Sequence, residues 1–223
     1  MAFWSFAQME AEIDRLALWG VNLPLAFVGQ EATEDRVYRA APFNLNSTEL
    51  NDYIAGPAFL PWQRMGNMRK WGGPVTADWH AKTKAMQILI VTRMREFGMT
   101  PVLAGFAGHV PTALAAHFPA SNFTKSSDWC GFDPVKYGAD LLLQATDPLF
   151  MTLGTALNKA TLEDFGDPTG LETPVFNAGQ RYAGGRAGRA RGLMRARCGR
   201  AARCPHTAAA PAAPRAPRRS TAR

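Results

Sequence analysis

The residues best equipped for chemistry are aromatic rings and carboxylates gathered in two long segments, Gly29 to Pro74 and Gly108 to Thr146. With the start of the helix that follows the first segment, they hold Trp62, Trp71, Trp79 and Trp129, four of the six tryptophans, together with Glu31, Asp128 and Asp133. Indole faces stack on pyranose rings and carboxylates do acid and base work at a glycosidic bond, so the combination fits a sugar site. Each tryptophan also has a plainer reading as a packed loop anchor. Glu31 either orients loops near the sugar or acts as a structural hydrogen-bond acceptor. His109, in Gly108-His109-Val110-Pro111, either contacts substrate or is a turn histidine bonded to backbone. Asp128 and Asp133 read as solvated loop aspartates. No two of these carboxylates are placed as a catalytic pair.

Metal and cofactor chemistry finds no support. Of the three cysteines, Cys130 stands alone, while Cys198 and Cys204 lie near His206 in a spacing that matches no zinc pattern. Asn46-Ser47-Thr48 and Asn122-Phe123-Thr124 are glycosylation sequons, so Asn46 and Asn122 are candidate attachment sites.

The elements that position these residues follow a repeated pattern. Ser5 and Gln8 stand in capping-box relation, Trp4 and Met9 as a hydrophobic staple; Phe6, Met9, Ile13, Leu16 and Ala17 recur at helical spacing and Gly20 is placed as the stop. The apolar run Val21 to Val28 follows, of strand length and with the composition of a strand buried on both faces. A second helix runs from about Ala77 to Phe97, with Met86, Ile90, Met94 and Phe97 on one stripe, then Gly98 and a strand over Met99 to Gly108. A third spans Asp147 to Phe165, then Gly166 and a short strand over Thr173 to Asn177. Helix, glycine and buried strand, three times in succession, predict an α/β fold with parallel strands. The two site segments each follow the C-terminal end of a strand, where such folds bind ligands.

Charge divides the chain of 223 residues in two. Residues 181–223 hold 12 of the 25 basic residues and none of the 18 acidic ones, leaving 1–180 with 13 basic and 18 acidic, a net of −5. The high pI therefore does not describe the body, and no nucleic-acid partner is expected for it. The tail's 43 residues include 12 Arg, 13 Ala, 5 Gly and 4 Pro, too little apolar surface to offset ordering, so it is expected to be disordered. Three origins are open for it: a GC-rich gene translated out of frame or into an intron, a natural solvated tail, or an arginine-rich nucleic-acid-binding arm. No apolar run approaches the roughly 20 residues of a membrane span, and no secretory leader follows Met1.

Several ordered blocks resemble one family, the alpha-N-acetylglucosaminidases, lysosomal and bacterial glycoside hydrolases that remove terminal alpha-linked N-acetylglucosamine. They are FWSFAQMEAEIDRLALWGVNLPLAF (Phe3 to Phe27), GQEA (Gly29 to Ala32), GPAFLPWQRMGN (Gly56 to Asn67), FGMTPVLAGFAGHVP (Phe97 to Pro111) and NFTKSSDW (Asn122 to Trp129). The likeness covers about residues 2–177. It implies a (β/α)8 TIM barrel of a retaining glycosidase, present here as an incomplete barrel of about strands two to four with their helices in a domain over 1–180. In such an enzyme one glutamate protonates the leaving oxygen and a second, about 5 to 5.5 Å away, forms a covalent intermediate.

The resemblance also implies roles. The Trp and Met of the family's W-x-x-M-G-N block fall on Trp62 and Met65, and the Trp of its sequon-proximal loop on Trp129, all in contact with substrate. The family's Phe-Asn-Glu at the end of the fourth strand falls on Phe176-Asn177-Ala178, which puts Asn177 beside the sugar and Ala178 where the general acid is expected. The nucleophile's strand has no counterpart, so the chain as written is expected to lack both catalytic glutamates. The family implies a glycan partner such as heparan sulfate, a lysosomal or secretory location and, in the full-length protein, leaves a homo-oligomer open. The alternative is a non-catalytic carbohydrate-binding remnant using Trp62 and Trp129 as platforms.

Overall fold

The structure, a computed structural model, describes residues 3–126 and 131–166 and the backbone of 175–176. Three long helices stand where the sequence places them. Helix α1 (Phe6–Leu18) begins with the Ser5 amide donating to Gln8 Oε1 at 2.9 Å, and turns its Ile13 face inward. Gly20, at φ 74°, ends it, with the Val21 amide reaching back to the Leu16 carbonyl, a stop that a side chain would strain.

The segment after Val28 is not a long loop. Helix α2 (Gln30–Arg39) starts at once, followed by α3 (Ser47–Asn51), a 3-10 turn over Pro57–Phe59 and the short α4 (Leu60–Arg64). Helix α2 escapes sequence pattern because its apolar contribution is mainly Val37 and Tyr38, set among charged residues. The long α5 (Ala77–Glu96) is capped by Thr76 Oγ1, which accepts from the Trp79 amide at 3.1 Å. Its Ile90 and Met94 are buried as expected, whereas Phe97 is exposed under the Arg93 guanidinium.

Strand β1 (Leu103–Ala104) then pairs in parallel with a later strand, and the residue before it, Val102, makes a parallel bridge to Leu25. After β1 come β2 (His109–Val110), the one-turn helix α6 (Leu114–His117), β3 (Phe123–Lys125) and β4 (Leu141–Leu143). Helix α7 (Pro148–Phe165) follows, capped by Asp147 Oδ1 on the Leu149 amide at 2.8 Å, and leads to β5 (Val175–Phe176). Gly166 ends α7 in an extended rather than left-handed conformation, its amide on the Leu162 carbonyl.

The expected parallel order holds. The stretch at Leu25, β1 and β5 lie side by side with β1 central, in the registers Leu25↔Val102, Leu103↔Val175 and Ala104↔Phe176. Regular pairing is shorter than the apolar runs, and the first run is not buried on both faces: Leu23 is 57% and Leu25 59% exposed, while Pro24 and Ala26 point inward. An unbroken apolar run states what a strand can bury, and only one face of this one is covered.

The second site segment likewise contains an unexpected sheet, β2-β4-β3, wholly antiparallel, with His109 opposite Leu142 and Thr124 opposite Leu142 on the other side. Two cores result. One packs α1 and α5 against the parallel strands through Ile13, Ala26, Ile90, Met94 and Leu103. The other lies beneath the segments that follow the strands, joining Tyr38, Phe43, Leu50, Val110, Leu143 and Leu153. Asp164 of α7 ties the helices together, accepting from Thr33 Oγ1 of α2 at 2.7 Å and Lys84 Nζ of α5 at 2.6 Å. The tail 181–223, expected to be disordered, lies outside the described residues.

Candidate active site

Trp62 and Met65 occupy a tight turn. Pro57 starts the 3-10 turn and Pro61 the first turn of α4, each where a missing amide costs nothing. Helix α4 closes after one turn, with the Trp62 carbonyl accepting from both the Met65 and Asn67 amides at 3.2 Å. Trp62 and Met65 are half-buried, so each keeps a face toward solvent. Behind Trp62 an aromatic stack extends through Phe59, 6.3 Å between ring centroids, to Trp71, Phe132 and Tyr137. Trp71 meets Phe59, Phe132 and Tyr137 edge-on yet remains 37% exposed, and Trp79 packs from the head of α5 onto the second core.

The turn is fixed from below by an ion pair. Arg64 Nε donates to Glu31 Oε1 at 2.6 Å, and the Glu31 side chain is completely buried. Glu31 is thus a hydrogen-bond acceptor that joins the Gly-Gln-Glu segment to the W-x-x-M-G-N segment across 33 positions. Burial works against the Arg64 charge and Glu31 more than offsets it, so the guanidinium pKa is raised. One turn along α2, Glu34 accepts from Gln30 Nε2 at 3.0 Å through Oε1, while its Oε2 is enclosed without a hydrogen-bond partner. Desolvation, then the Glu31 charge, pushes the Glu34 carboxyl up to about 8.

Gln30, Glu34 and Arg64 line a cavity of about 60 Å³ with Tyr53, Ala104, Gly105, Phe106 and His109. It opens at the C-terminal end of β1, the end at which α/β folds bind ligands. His109, first residue of β2, is half-buried and lies against Gly66 of the turn. Deeper in, Asp140 is fully buried, both carboxylate oxygens lack hydrogen-bond partners, and desolvation raises its pKa well above the usual carboxylate range despite Arg69. Asp133 is a loop cap, its Oδ1 accepting from the amides of Val135 and Lys136.

The structure thus brings together Trp62, Met65, Glu31 and His109. Asp128, Trp129, Asn177 and Ala178 lie outside the described residues. Arg64, Glu34 and Asp140 had no part in the sequence reading. The i,i+3 spacing of Glu31 and Glu34 is the one local sign, and it shows only once the helix is known. Among the described residues no cluster of His, Cys, Asp or Glu could hold a metal ion, and no helix is long and apolar enough to cross a membrane.

Residues 1–188 match the model of the alpha-N-acetylglucosaminidase tim-barrel domain. The chain belongs to the alpha-N-acetylglucosaminidase family. It is 43% identical to human alpha-N-acetylglucosaminidase over 175 residues, 78% of this chain and 23% of the human protein. The family 89 glycoside hydrolase of Clostridium perfringens, solved with 2-acetamido-1,2-dideoxynojirmycin, superposes with a TM-score of 0.67 at 30% identity, over 75% of this chain and 19% of that one. The same hydrolase, solved with its substrate GlcNAc-alpha-1,4-galactose, matches equally well. The chain therefore spans about a fifth to a quarter of the length of these alpha-N-acetylglucosaminidase relatives.

Proposed function

We propose that this chain is the sugar-contacting portion of a retaining alpha-N-acetylglucosaminidase barrel, covering about strands two to four. The substrate is a glycan ending in alpha-linked N-acetylglucosamine, heparan sulfate among them. One observation carries the reading: the half-exposed Trp62 and Met65 sit in a turn locked to Glu31 and packed against His109, at the C-terminal end of β1. A half-buried indole two residues from Arg64, which lines the cavity, suits the alternating apolar and polar faces of a pyranose. Trp129 and Asn177 complete the contact set through the family resemblance.

At position 178 alanine stands where the family's general acid is expected, and it has no proton to give. Loss of a general acid costs roughly 10² to 10⁴ in rate. The polypeptide as written then binds without turning over, which is also the behaviour of a carbohydrate-binding remnant. The exposed side chains of Asn46 and Asn122 support glycan attachment in a lysosomal or secretory route. The test measures binding of GlcNAc-alpha-1,4-galactose by the chain, and hydrolysis of an aryl alpha-N-acetylglucosaminide beside a mock-purified control. Binding that is lost in Trp62→Ala, without turnover, is expected; turnover above the control overturns the inactivity, and no binding overturns the site.

A further inference from the structure

Arg64 faces two carboxylates and is bonded to one. Glu31 and Glu34 lie one turn apart on α2, Glu31 holds the guanidinium at 2.6 Å, and Glu34 lines the same cavity with its Oε2 enclosed and unbonded. A second full negative charge in that enclosure would have Glu31 as its neighbour and no hydrogen bond on Oε2 to stabilise it. A neutral carboxylic acid removes the repulsion and leaves at Oε2 an uncharged group, which costs far less to enclose than a charge.

We propose that Glu34 is a positioning residue for the turn Trp62–Asn67, acting as a neutral acid that leaves Arg64 to Glu31 alone, so that loss of its proton frees the turn. The connection is short. Arg64 lies two residues after Trp62 and next to Met65 in a helix of one turn, so its bond to Glu31 ties the segment carrying both to α2. The groups that bear on Glu34 are named by the enclosure: Glu31, Gln30 and Tyr38 from α2, Arg64 from α4, Tyr53 from the segment after α3, His109 from β2 and, beyond them, Asp140 before β4. Tyr38 and Tyr53 are raised well above their ordinary value by burial and then by Glu34, so they stay neutral while Glu34 titrates.

The proposal gives the sugar site a pH-dependent shape, and it rests on the reading of Trp62 as a sugar contact only for its consequence. It can be tested on this chain with 5-fluorotryptophan incorporated. The Trp62 fluorine line is assigned by Trp62→Phe and followed from pH 5 to pH 9, a range chosen to bracket the Glu34 pKa of about 8. The Trp62 line is expected to move with a midpoint near that value, and in Glu34→Gln to stay at its acidic position throughout, because the amide mimics the neutral acid. A Trp62 line flat in the parent chain, a titration that persists in Glu34→Gln, or a Glu34→Gln chain that no longer folds each overturns the proposal.

A second arm measures binding of GlcNAc-alpha-1,4-galactose at pH 5 and pH 9. A loss of about tenfold at pH 9, absent in Glu34→Gln, is expected from a group mostly ionised one unit above its pKa. If the fluorine line titrates as stated but the disaccharide does not bind at either pH, Glu34 still positions the turn and the sugar reading alone falls.

Discussion

A Cβ added to Gly66 would lie 2.0 Å from Nδ1 of His109, so the two residues touch only because position 66 carries no side chain. This contact places the W-x-x-M-G-N turn directly on the Gly-His-Val-Pro segment that opens β2. Gly66 also sits at φ 70°, where an L-side chain is strained. Gly66→Ala combines that strain with a clash in a packed setting, and a loss of about 2 to 4 kcal/mol is expected. Urea unfolding checks it, and a loss under about 0.5 kcal/mol would mean that the turn and His109 move apart freely.

Trp62 should separate binding from packing. It is half-buried, with the Phe59 ring 6.3 Å away between centroids. In a full-length family enzyme carrying this segment, Trp62→Ala is expected to lower kcat/KM by on the order of tenfold to a few hundredfold, from about 1.5 to 3 kcal/mol of lost aromatic burial. Active-site-titrated kinetics and a melting curve on the same preparation decide the case. Normal kinetic constants with a lowered Tm would make Trp62 a packing residue.

What the sequence disclosed follows the range of the signals it carries. Helices α1, α5 and α7 were legible because caps, apolar stripes and terminal glycines act within one or two turns. The parallel order was legible because helix and strand alternate. Helix α2 was hidden by its charge, and β2, β3 and β4, two or three residues each, are too short for a period of two to show. Trp62 and Met65 could be named from local blocks. The Arg64–Glu31 bond and the enclosure of Glu34 could not, since they exist only after α2 and α4 have packed together. Leu23 and Leu25 show the reverse failure: their type predicts burial, and both are more than half exposed.

Asn46 holds two roles that can be told apart. Its Oδ1 accepts from the amides of Thr48 and Glu49 at 2.9 and 3.1 Å, capping α3, while its side-chain amide nitrogen is the atom a glycan would take. Asn46→Asp keeps an acceptor at the cap and is expected to leave stability within about 0.5 kcal/mol, whereas Asn46→Ala is expected to cost about 1 kcal/mol. Both remove the sequon. Glycopeptide mapping after expression with a secretory leader, with Asn122→Gln alongside, shows whether either sequon is used; equal stability of the Asp and Ala variants would remove the cap from the account.

The buried acids set the direction in which stability changes with pH. Glu34 is raised from 4.5 to about 8, so between those values the folded chain holds a proton that the unfolded chain has released. Stability contributed in this way is complete below the unfolded value and falls as pH rises through the folded one. Asp140, also raised by burial, acts in the same direction. Asp164 acts oppositely: burial raises its pKa, but the bonds from Lys84, Thr33 and Arg36 outweigh that and lower it, so its contribution is lost in strong acid. The fold is therefore expected to be most stable in mild acid, near pH 5, and to lose on the order of a few kcal/mol by pH 8. Urea midpoints from pH 4 to pH 9 test this for the parent chain and for Glu34→Gln, in which the decline above pH 5 should be markedly shallower. A parent profile that rises from pH 5 to pH 8, or a Gln variant with an unchanged slope, would show that Glu34 is ionised in the folded chain and that Arg64 accommodates both carboxylates at once.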